Sequence, residues 1–553
     1  MGQRLPTWAP RALNLEIRSM SRVPADPSPA GGTLDPDEPH YLNHQQIVIV
    51  LFGLMAGVLL AALDQSIVGT ALPRIVSELG GLDKLAWVVT AYLLTATAAT
   101  PLWGKISDLY GRRPIFQAAI IIFLIGSVLC GLSQNLPQLI AFRAIQGIGG
   151  GGLMAIALSI IGDIIPPRER GRYQGYFGAV FGVSSVAGPL LGGWFTEGPG
   201  WRWIFYINLP VGIAALVITS MALKLPTVRR EHSIDFLGAG LIIGSVSALL
   251  LYLDWAGKAY GWFAPGPLAL LVGAIVMAVL FVLVEQRADE PIIPLRLFLN
   301  PIFAVGSLYA FLAGVAMFGA IIFLPFYLQA VMGMSPTESG LAMLPAVLGI
   351  LTTSIISGRL ITRTGHYKIF PIIGAAVLMV ALFLMSRLRV DTPYWELAIY
   401  MLAFGAGLGC TMQTIVTAVQ NAVEFRDLGT ATSATTFFRQ MGGTIGAAVF
   451  GAILANRLAA HLVEQFGPVA TSMQEGGEVN VNNIQAIQAL PEQIKLPVQT
   501  AFTQAINDVF LFGVPIVALA LITAFFLKEV PLRTAQRRVP GEAASAEALG
   551  AGL

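Results

Sequence analysis

Windows of about 20 apolar residues, each long enough to cross roughly 30 Å of hydrocarbon, recur from residue 47 almost to the end of the chain. They predict about fourteen helices, over 47–70, 85–103, 115–133, 137–162, 171–195, 203–223, 235–254, 267–284, 302–330, 339–361, 369–387, 394–420, 428–455 and 506–527. An even count puts both termini on one side. Basic residues choose that side: alternate connections carry Lys105, Arg112 and Arg113, then Arg168, Arg170 and Arg172, Lys224, Arg229 and Arg230, Arg287 and Arg296, Arg359, Arg363 and Lys368, and Arg426. The opposite connections are poorer, with Arg74, Lys84, Arg202, Lys258, Arg387 and Arg389. The positive-inside rule then makes both termini cytoplasmic.

Between and around the spans, residues 1–46 are rich in Pro, Gly, Asp and Arg and contain no apolar stretch of signal-peptide type, which predicts a disordered cytoplasmic tail. The polar segment 456–505 is expected as an extracytoplasmic loop, and 528–553 as a second cytoplasmic tail. The chain also repeats itself. The corner Gly104-Lys-Ile-Ser-Asp108-Leu-Tyr-Gly111-Arg112-Arg113-Pro114 is echoed by Gly358-Arg-Leu-Ile-Thr362-Arg-Thr-Gly365-His366, with Thr362 where Asp108 stands. Two six-helix bundles of equal orientation follow, over 47–223 and 302–527, related by an axis along the membrane normal. The linker 224–301, with two inserted transmembrane helices, has no counterpart.

Composition narrows the class. Of the 553 residues 55% are hydrophobic and 12% charged, against roughly 25% charged in soluble domains, so this is an all-α integral membrane protein. With 33 basic and 31 acidic residues there is no bulk charge to attract nucleic acid. Cys130 and Cys410 lie inside apolar runs and the histidines in tails or loops, which supports neither a disulfide framework nor a metal site. Four glycines, Gly149 to Gly152, sit inside a span with no strand before them; they read as close helix contact. No phosphate-binding loop occurs, which excludes an ATP-driven pump.

Within the apolar chain a few polar residues stand out. Gly104 lets its helix touch a neighbour, Gly111 permits a turn, and Pro114 suits the first turn of the next helix. Asp108 is placed to cap the positive N-terminus of another helix, the natural one beginning near Leu428 and Gly429, while Arg112 and Arg113 hold the corner. Asp64 lies about 17 residues, or roughly 25 Å, along its helix, and Arg143 about 6 residues, or roughly 9 Å, into a helix running the other way. Their depths match. Because an ionised side chain in the membrane costs at least about 2.5 kcal/mol, the match predicts a pair. A proton-coupling site and a purely structural ion pair both satisfy it. Gly178 and Gly182, then Gly188 and Gly192, are four apart and strip one helix face of side chains; Pro189 adds a kink and Gly193 extends the small surface. Arg439 falls about 11 residues, or roughly 17 Å, into its span, beside small residues, and reads as lining a central cavity. There it would bind an anionic group or pair with a carboxylate. Tyr327, Gln329 and Gln413 are further cavity candidates, with helix-to-helix bonding as the alternative. Asp163 and the Arg168-Glu169-Arg170-Gly171 corner read as pins between the fourth and fifth spans.

Taken together, the Gly104–Pro114 corner, Leu63-Asp64 with Ala71-Leu72-Pro73, Arg143 with Gln146-Gly147, Gly188-Pro189-Leu-Leu-Gly192-Gly193 and the stretch Trp201 to Pro210 resemble the motifs of the major facilitator superfamily, in its fourteen-span drug:proton antiporter branch. The likeness runs from about residue 47 to 455. It departs at Ser66 and Gly69, where the family usually has Thr and Asn. The resemblance implies a major facilitator fold and a transporter, not an enzyme, that exports small lipophilic or cationic compounds across the cytoplasmic membrane in exchange for protons. It implies no cofactor beyond the proton gradient, no partner beyond a small-molecule substrate and the bilayer, and function as a monomer. Asp64 would take up the proton and Arg143 tune it, the Gly188-Pro189 motif would limit leak, and Asp108 would lock the cytoplasmic side. Export of an endogenous lipid or secondary metabolite uses the same machinery. A non-transporting membrane sensor would need a folded cytoplasmic domain, for which the tails leave no room.

Overall fold

Helices follow one another along nearly all of the described chain, which in this computed structural model comprises residues 44–79, 85–223, 235–256, 261–466 and 491–532. Most of the expected N-terminal tail and Lys84, Lys224, Arg229, Arg230 and Lys258 lie outside these residues. In order the long helices are α1 His44–Leu79, α2 Leu85–Tyr110, α3 Arg112–Leu132, α4 Leu136–Ile164, α5 Pro167–Glu197, α6 Trp203–Ala222, α7 Phe236–Trp255, α8 Pro265–Glu285, α9 Pro301–Ala330, α10 Leu344–Thr364, α11 Ile369–Met385, α12 Tyr394–Ala422, α13 Leu428–Phe466 and α14 Glu492–Phe526. Among the described residues twelve helices are long and apolar enough on their own to cross a bilayer. Of the other two, α11 is short, while α2 carries four threonines, Lys105 and Asp108 and is packed between α4 and α13.

Local chemistry marks the helix ends. Asn135 accepts a hydrogen bond from Gln138 N and starts α4, Asp235 does so from Gly238 N for α7, and Asn300 from Ile302 N for α9. At the repeated corners both glycines have positive φ, Gly111 94° and Gly365 78°, where a side chain is strained, but their ψ differ, 146° against -4°, so only Gly365 is a left-handed helical cap.

Packing repeats as well. In the first half α4 lies against α2 and α3, and α1 against α5; in the second α12 lies against α10 and α11, and α9 against α13. Each half buries its own hydrophobic cluster. Across the halves α5 packs on α10 and α2 on α13, two contacts that the repeat turns into each other. The α7–α8 hairpin leans on α2 through α7, and α8 leaves Val272, Ile275, Val276, Val279 and Leu283 exposed, the surface expected of a lipid-facing helix.

Glycine runs set the closest approaches. A Cβ on Gly149 would lie 2.5 Å from the Phe123 nitrogen of α3, and one on Gly151 would run into the Ala96 carbonyl of α2. In the second half a Cβ on Gly407 would lie 2.8 Å from the Gly374 carbonyl of α11. Without a hydrophobic force between helices in lipid, such backbone contact is what drives association.

The expected loop 456–505 is helical at both ends, through Phe466 in α13 and from Glu492 in α14. The reason is burial that hydropathy windows dilute: Leu458, Leu462, Val498, Ala501 and Phe502 enter the second core, and His461 lies 3.0 Å and Arg457 3.6 Å from Asp508. At the other end of α14 the chain past Phe526 is pinned, Asn421 donating to the Val530 and Pro531 carbonyls.

Replacing Gly151 with Leu should lower the thermal unfolding midpoint of the purified protein by at least the ~1–3 kcal/mol typical of overpacking. Leu at Gly240, where nothing lies within 4 Å, should leave it unchanged.

Candidate functional site

The deepest polar cluster is built from α1, α2, α3, α4 and α6. Asp64 and Arg143 form an ion pair with side chains 0% and 1% exposed. The other carboxylate oxygen accepts from Gln146 Nε2 at 2.8 Å and, at 3.4 Å, faces Asn208 Nδ2, which donates to Ser127 Oγ at 3.0 Å. Arg143 also donates to Gln146 Oε1 and the Val88 carbonyl, and its guanidinium lies 4.2 Å over the Tyr92 ring. Every donor of Asp64 therefore comes from a different turn or helix, and a proton on the oxygen facing Arg143 would break the pair while Gln146 still held the other oxygen. Gln146 and Asn208 stand in the quoted motifs, but neither is singled out by the sequence. The available signal is the Arg143–Gln146 spacing of three, which puts both on one helix face.

The glycine motif on α5 has two faces. Toward the other half, a Cβ on Gly178 would lie 3.2 Å from Ser354 Oγ, one on Gly182 2.6 Å from Val347 Cγ1 and one on Gly193 3.5 Å from Thr337 Oγ1, and Pro189 meets Gly340. Toward its own half, Gly188 abuts Ser66, two residues from Asp64, and Ser66 Oγ donates to the Ser184 carbonyl. Gly192 is buried. The motif thus joins the charge cluster to the seam between the bundles.

At the Arg112 end lies a latch. Asp108 Oδ2 accepts from Thr430 N and Thr430 Oγ1, both at 2.7 Å, so it caps the first turn of α13. Arg112 pairs with both Asp108 and Asp163 and donates to Ser107 Oγ at 2.8 Å. Asp163 therefore belongs to the latch, not merely to the α4–α5 corner, where Arg170 bonds the Gly162 and Ile165 carbonyls. Gly104 packs directly on Ser433, and Gly429 on Asp108 and Arg112. Arg113 takes no part in this network. In the repeat copy Thr362 Oγ1 turns back to the Gly358 carbonyl. Beside the latch Gln174 of α5 donates to Gln420 of α12 and accepts from Thr417, and Gln420 reaches the Leu158 carbonyl of α4, a buried polar ladder across the halves. The segment after the inserted helices spans the same end: Glu290 pairs with Lys105, and Arg296 with Asp427 at 2.7 Å.

The opposite end is tied by Trp201, whose Nε1 donates to Glu78 Oε2 at 2.9 Å, and by Arg202, which pairs with Glu78 and lies over the Trp201 ring. Arg202's hydrogen bond holds the Glu78 carboxyl below its ordinary range.

Arg439 is 8% exposed and lines a cavity of about 20 Å³ with Tyr309, Met317, Thr411, Met412 and Thr435. The other three cavity candidates are elsewhere. Tyr327 is buried in the second core and donates to the Arg389 carbonyl at 2.7 Å, Gln329 donates to Ser339 Oγ, and Gln413 is buried without a hydrogen-bond partner among the described residues and does not line this cavity. Their helical positions face their own bundle, which hydropathy does not reveal.

Two repeated helical bundles meeting along a thin seam, with charge buried in one and a latch across both, define a multi-pass membrane transporter and not an enzyme. The Major Facilitator Superfamily profile matches residues 54–236 and 234–447, and the chain belongs to that family. It is 43% identical over 534 residues to an uncharacterised MFS-type transporter of Mycobacterium tuberculosis (strain ATCC 25618 / H37Rv), covering 96% of this chain and 73% of that one. With the multidrug transporter protein MdtP of Bacillus subtilis (strain 168) it shares 37% identity over 506 residues, 88% of this chain and 93% of the other. The solved structure of the proton:xylose symporter XylE bound to 6-bromo-6-deoxy-D-glucose superposes with a TM-score of 0.59 at 15% identity, over 89% of this chain and 98% of that one, a likeness of fold.

Asp108→Asn should open the latch. With Cys130 and Cys410 replaced by Ala, a Cys at Ser433, itself 0% exposed, should be labelled by a maleimide roughly tenfold faster in Asp108→Asn, in keeping with the ~1.5–3 kcal/mol of a charge-assisted hydrogen bond; an unchanged rate refutes the latch. Glu78 sets a pH dependence at the other end. Because its folded-state pKa is depressed, its contribution is complete above the ordinary value of 4.5 and is lost as pH falls through the folded value. Glu78→Gln should therefore melt below wild type by the ~0.2–1 kcal/mol of an exposed pair at neutral pH, and level with it in acid.

Proposed function

We propose that the protein is a proton-coupled antiporter that exports small lipophilic or cationic compounds across the cytoplasmic membrane by alternating access. All fourteen helices cross the bilayer in this reading, with both termini and the Arg112 end cytoplasmic. The bundles 47–223 and 302–527 rock about the seam between them, and the chain works as a monomer. The single observation that supports the proposal is the wholly buried Asp64–Arg143 pair, because a carboxylate enclosed in the span, with Gln146 and Asn208 to hold it once its charge is gone, is suited to take up and release a proton.

The steps follow from the contacts. Protonation of Asp64 releases Arg143 from its charge partner and changes the packing of α1 on α4. Gly188 against Ser66 carries that change to α5, whose other face rests on α10. At the cytoplasmic end Asp108 on Thr430 stabilises the closed gate until substrate loading favours its opening. The efflux direction is supported by the multidrug relative in Bacillus subtilis and by the glycine motif, which seals the seam against leak.

Everted membrane vesicles containing the protein should accumulate a lipophilic cationic dye when the lumen is made acidic, protons leaving as dye enters, and release it when the gradient is collapsed. Asp64→Asn should lose gradient-driven accumulation at normal protein levels. Accumulation that ignores the gradient, or survives intact in Asp64→Asn, overturns the antiport reading.

A further inference from the structure

Arg439 is the buried cation that the proton cycle does not use. It lies eleven residues into α13 and is 92% enclosed, yet among the described residues it makes no ion pair and no hydrogen bond. Among the described residues the helices packed on α13 hold their acids at its ends: α9 has no Asp or Glu, α12 has Glu396 in its first turn, Asp108 of α2 and Asp163 of α4 sit at the Thr430 end, and Asp508 of α14 faces Arg457 and His461 near the far end. The contrast with Arg143, whose guanidinium faces Asp64, is complete. A guanidinium at this depth that meets solvent only through a small opening and has no counter-charge is costly, so its retention beside a cavity calls for a compensating anion.

The cavity has the chemistry for one. About 20 Å³ accommodates one water, so an oxyanion head enters only as the wall gives way. Its hydroxyls have spent their protons: Tyr309 donates to the Pro371 carbonyl at 3.1 Å, Thr411 to Leu408 at 3.0 Å and Thr435 to Ala431 at 2.9 Å. That leaves the planar fork of Arg439 as the donor, the geometry that carboxylate and sulfonate fit best. Met317 and Met412 supply a deformable apolar wall. A cation would find repulsion and no carboxylate here, and a neutral lipophile would leave the charge uncompensated. The adjacent residue, Gln440, accepts from Thr100 of α2 at 3.1 Å, so the stretch of α13 that carries Arg439 also lies on the seam between the bundles.

We propose that Arg439 and its cavity form an oxyanion subsite that anchors the head of an amphipathic organic acid, whose apolar body lies between the opened bundles. This rests on the efflux reading for the route and adds a substrate class to it. Oxyanion recognition lies in the second half, apart from the proton site in the first, so amphipathic acids and zwitterions are exported alongside cations.

The test is a binding measurement on the full purified chain in lipid nanodiscs, without a proton gradient, using naphthalene-1-sulfonate and the isosteric cation 1-naphthylmethylammonium. Wild type should gain thermal stability from the sulfonate and not from the ammonium. Arg439→Gln should melt at or above wild type without ligand, since an unpaired charge is gone, and should bind the sulfonate at least about tenfold more weakly. Arg439→Lys should fall between them. Equal sulfonate binding by wild type and Arg439→Gln, no response of wild type, equal stabilisation by chloride at the same concentration, or a ligand-free Arg439→Gln that melts far below wild type would each overturn the subsite. Loss of proton-driven uptake in vesicles leaves these readings unmoved, so failure of the antiport reading and failure of the subsite are separately visible.

Discussion

Charge in hydrocarbon must be answered by charge or by hydrogen bonds, and the Asp64–Arg143 pair is where this chain meets that demand most fully. Five helices contribute to the answer: α1 the carboxylate, α4 the guanidinium and Gln146, α6 Asn208, α3 Ser127 and α2 the Tyr92 ring and the Val88 carbonyl. The first bundle is assembled around this requirement, because no single helix can satisfy both groups. The same requirement makes the cluster sensitive to one proton, since neutralising the acid leaves a cation in need of a new partner.

The latch obeys a different economy. Asp108 lies at a helix end, where the unsatisfied backbone N–H groups of α13 act as a partial positive charge and where Arg112 and Asp163 complete the balance. The same corner stands in both halves, and both glycines keep a positive φ. Only the first copy carries the acid, so the two symmetry-related seams, α2 on α13 and α5 on α10, are held by unlike forces. One adds ion pairs and a helix cap to its glycine contacts; the other is glycine against side chain. The strap formed by Glu290 and Arg296, pairing with Lys105 and Asp427, brings the inserted helices' linker to the latch side.

Close backbone contact does the remaining work. Gly149 to Gly152 in α4 and Gly405 to Gly409 in α12 occupy matching places in the two bundles, each pressed between two neighbours. Between the bundles, by contrast, the contacts include the polar ladder of Gln174, Thr417 and Gln420.

Much of this was legible in the chain alone. A bilayer leaves helices as the only open solution, so hydropathy located the spans, the repeated corner located the halves, and counting residues at 1.5 Å each matched the depths of Asp64 and Arg143 and aimed Asp108 at the start of α13. Depth along the membrane is a one-dimensional quantity, and a sequence encodes it directly. What surrounds each residue laterally is not, because lipid is as apolar as a neighbouring helix and the apolar positions do not say which face is turned inward. Hence only the tertiary structure added Gln146, Asn208, Asp163 and Gln174 to the polar networks, moved Tyr327 and Gln329 away from the cavity, carried α13 to Phe466 and started α14 at Glu492. It also left Arg439 enclosed with no acid beside it.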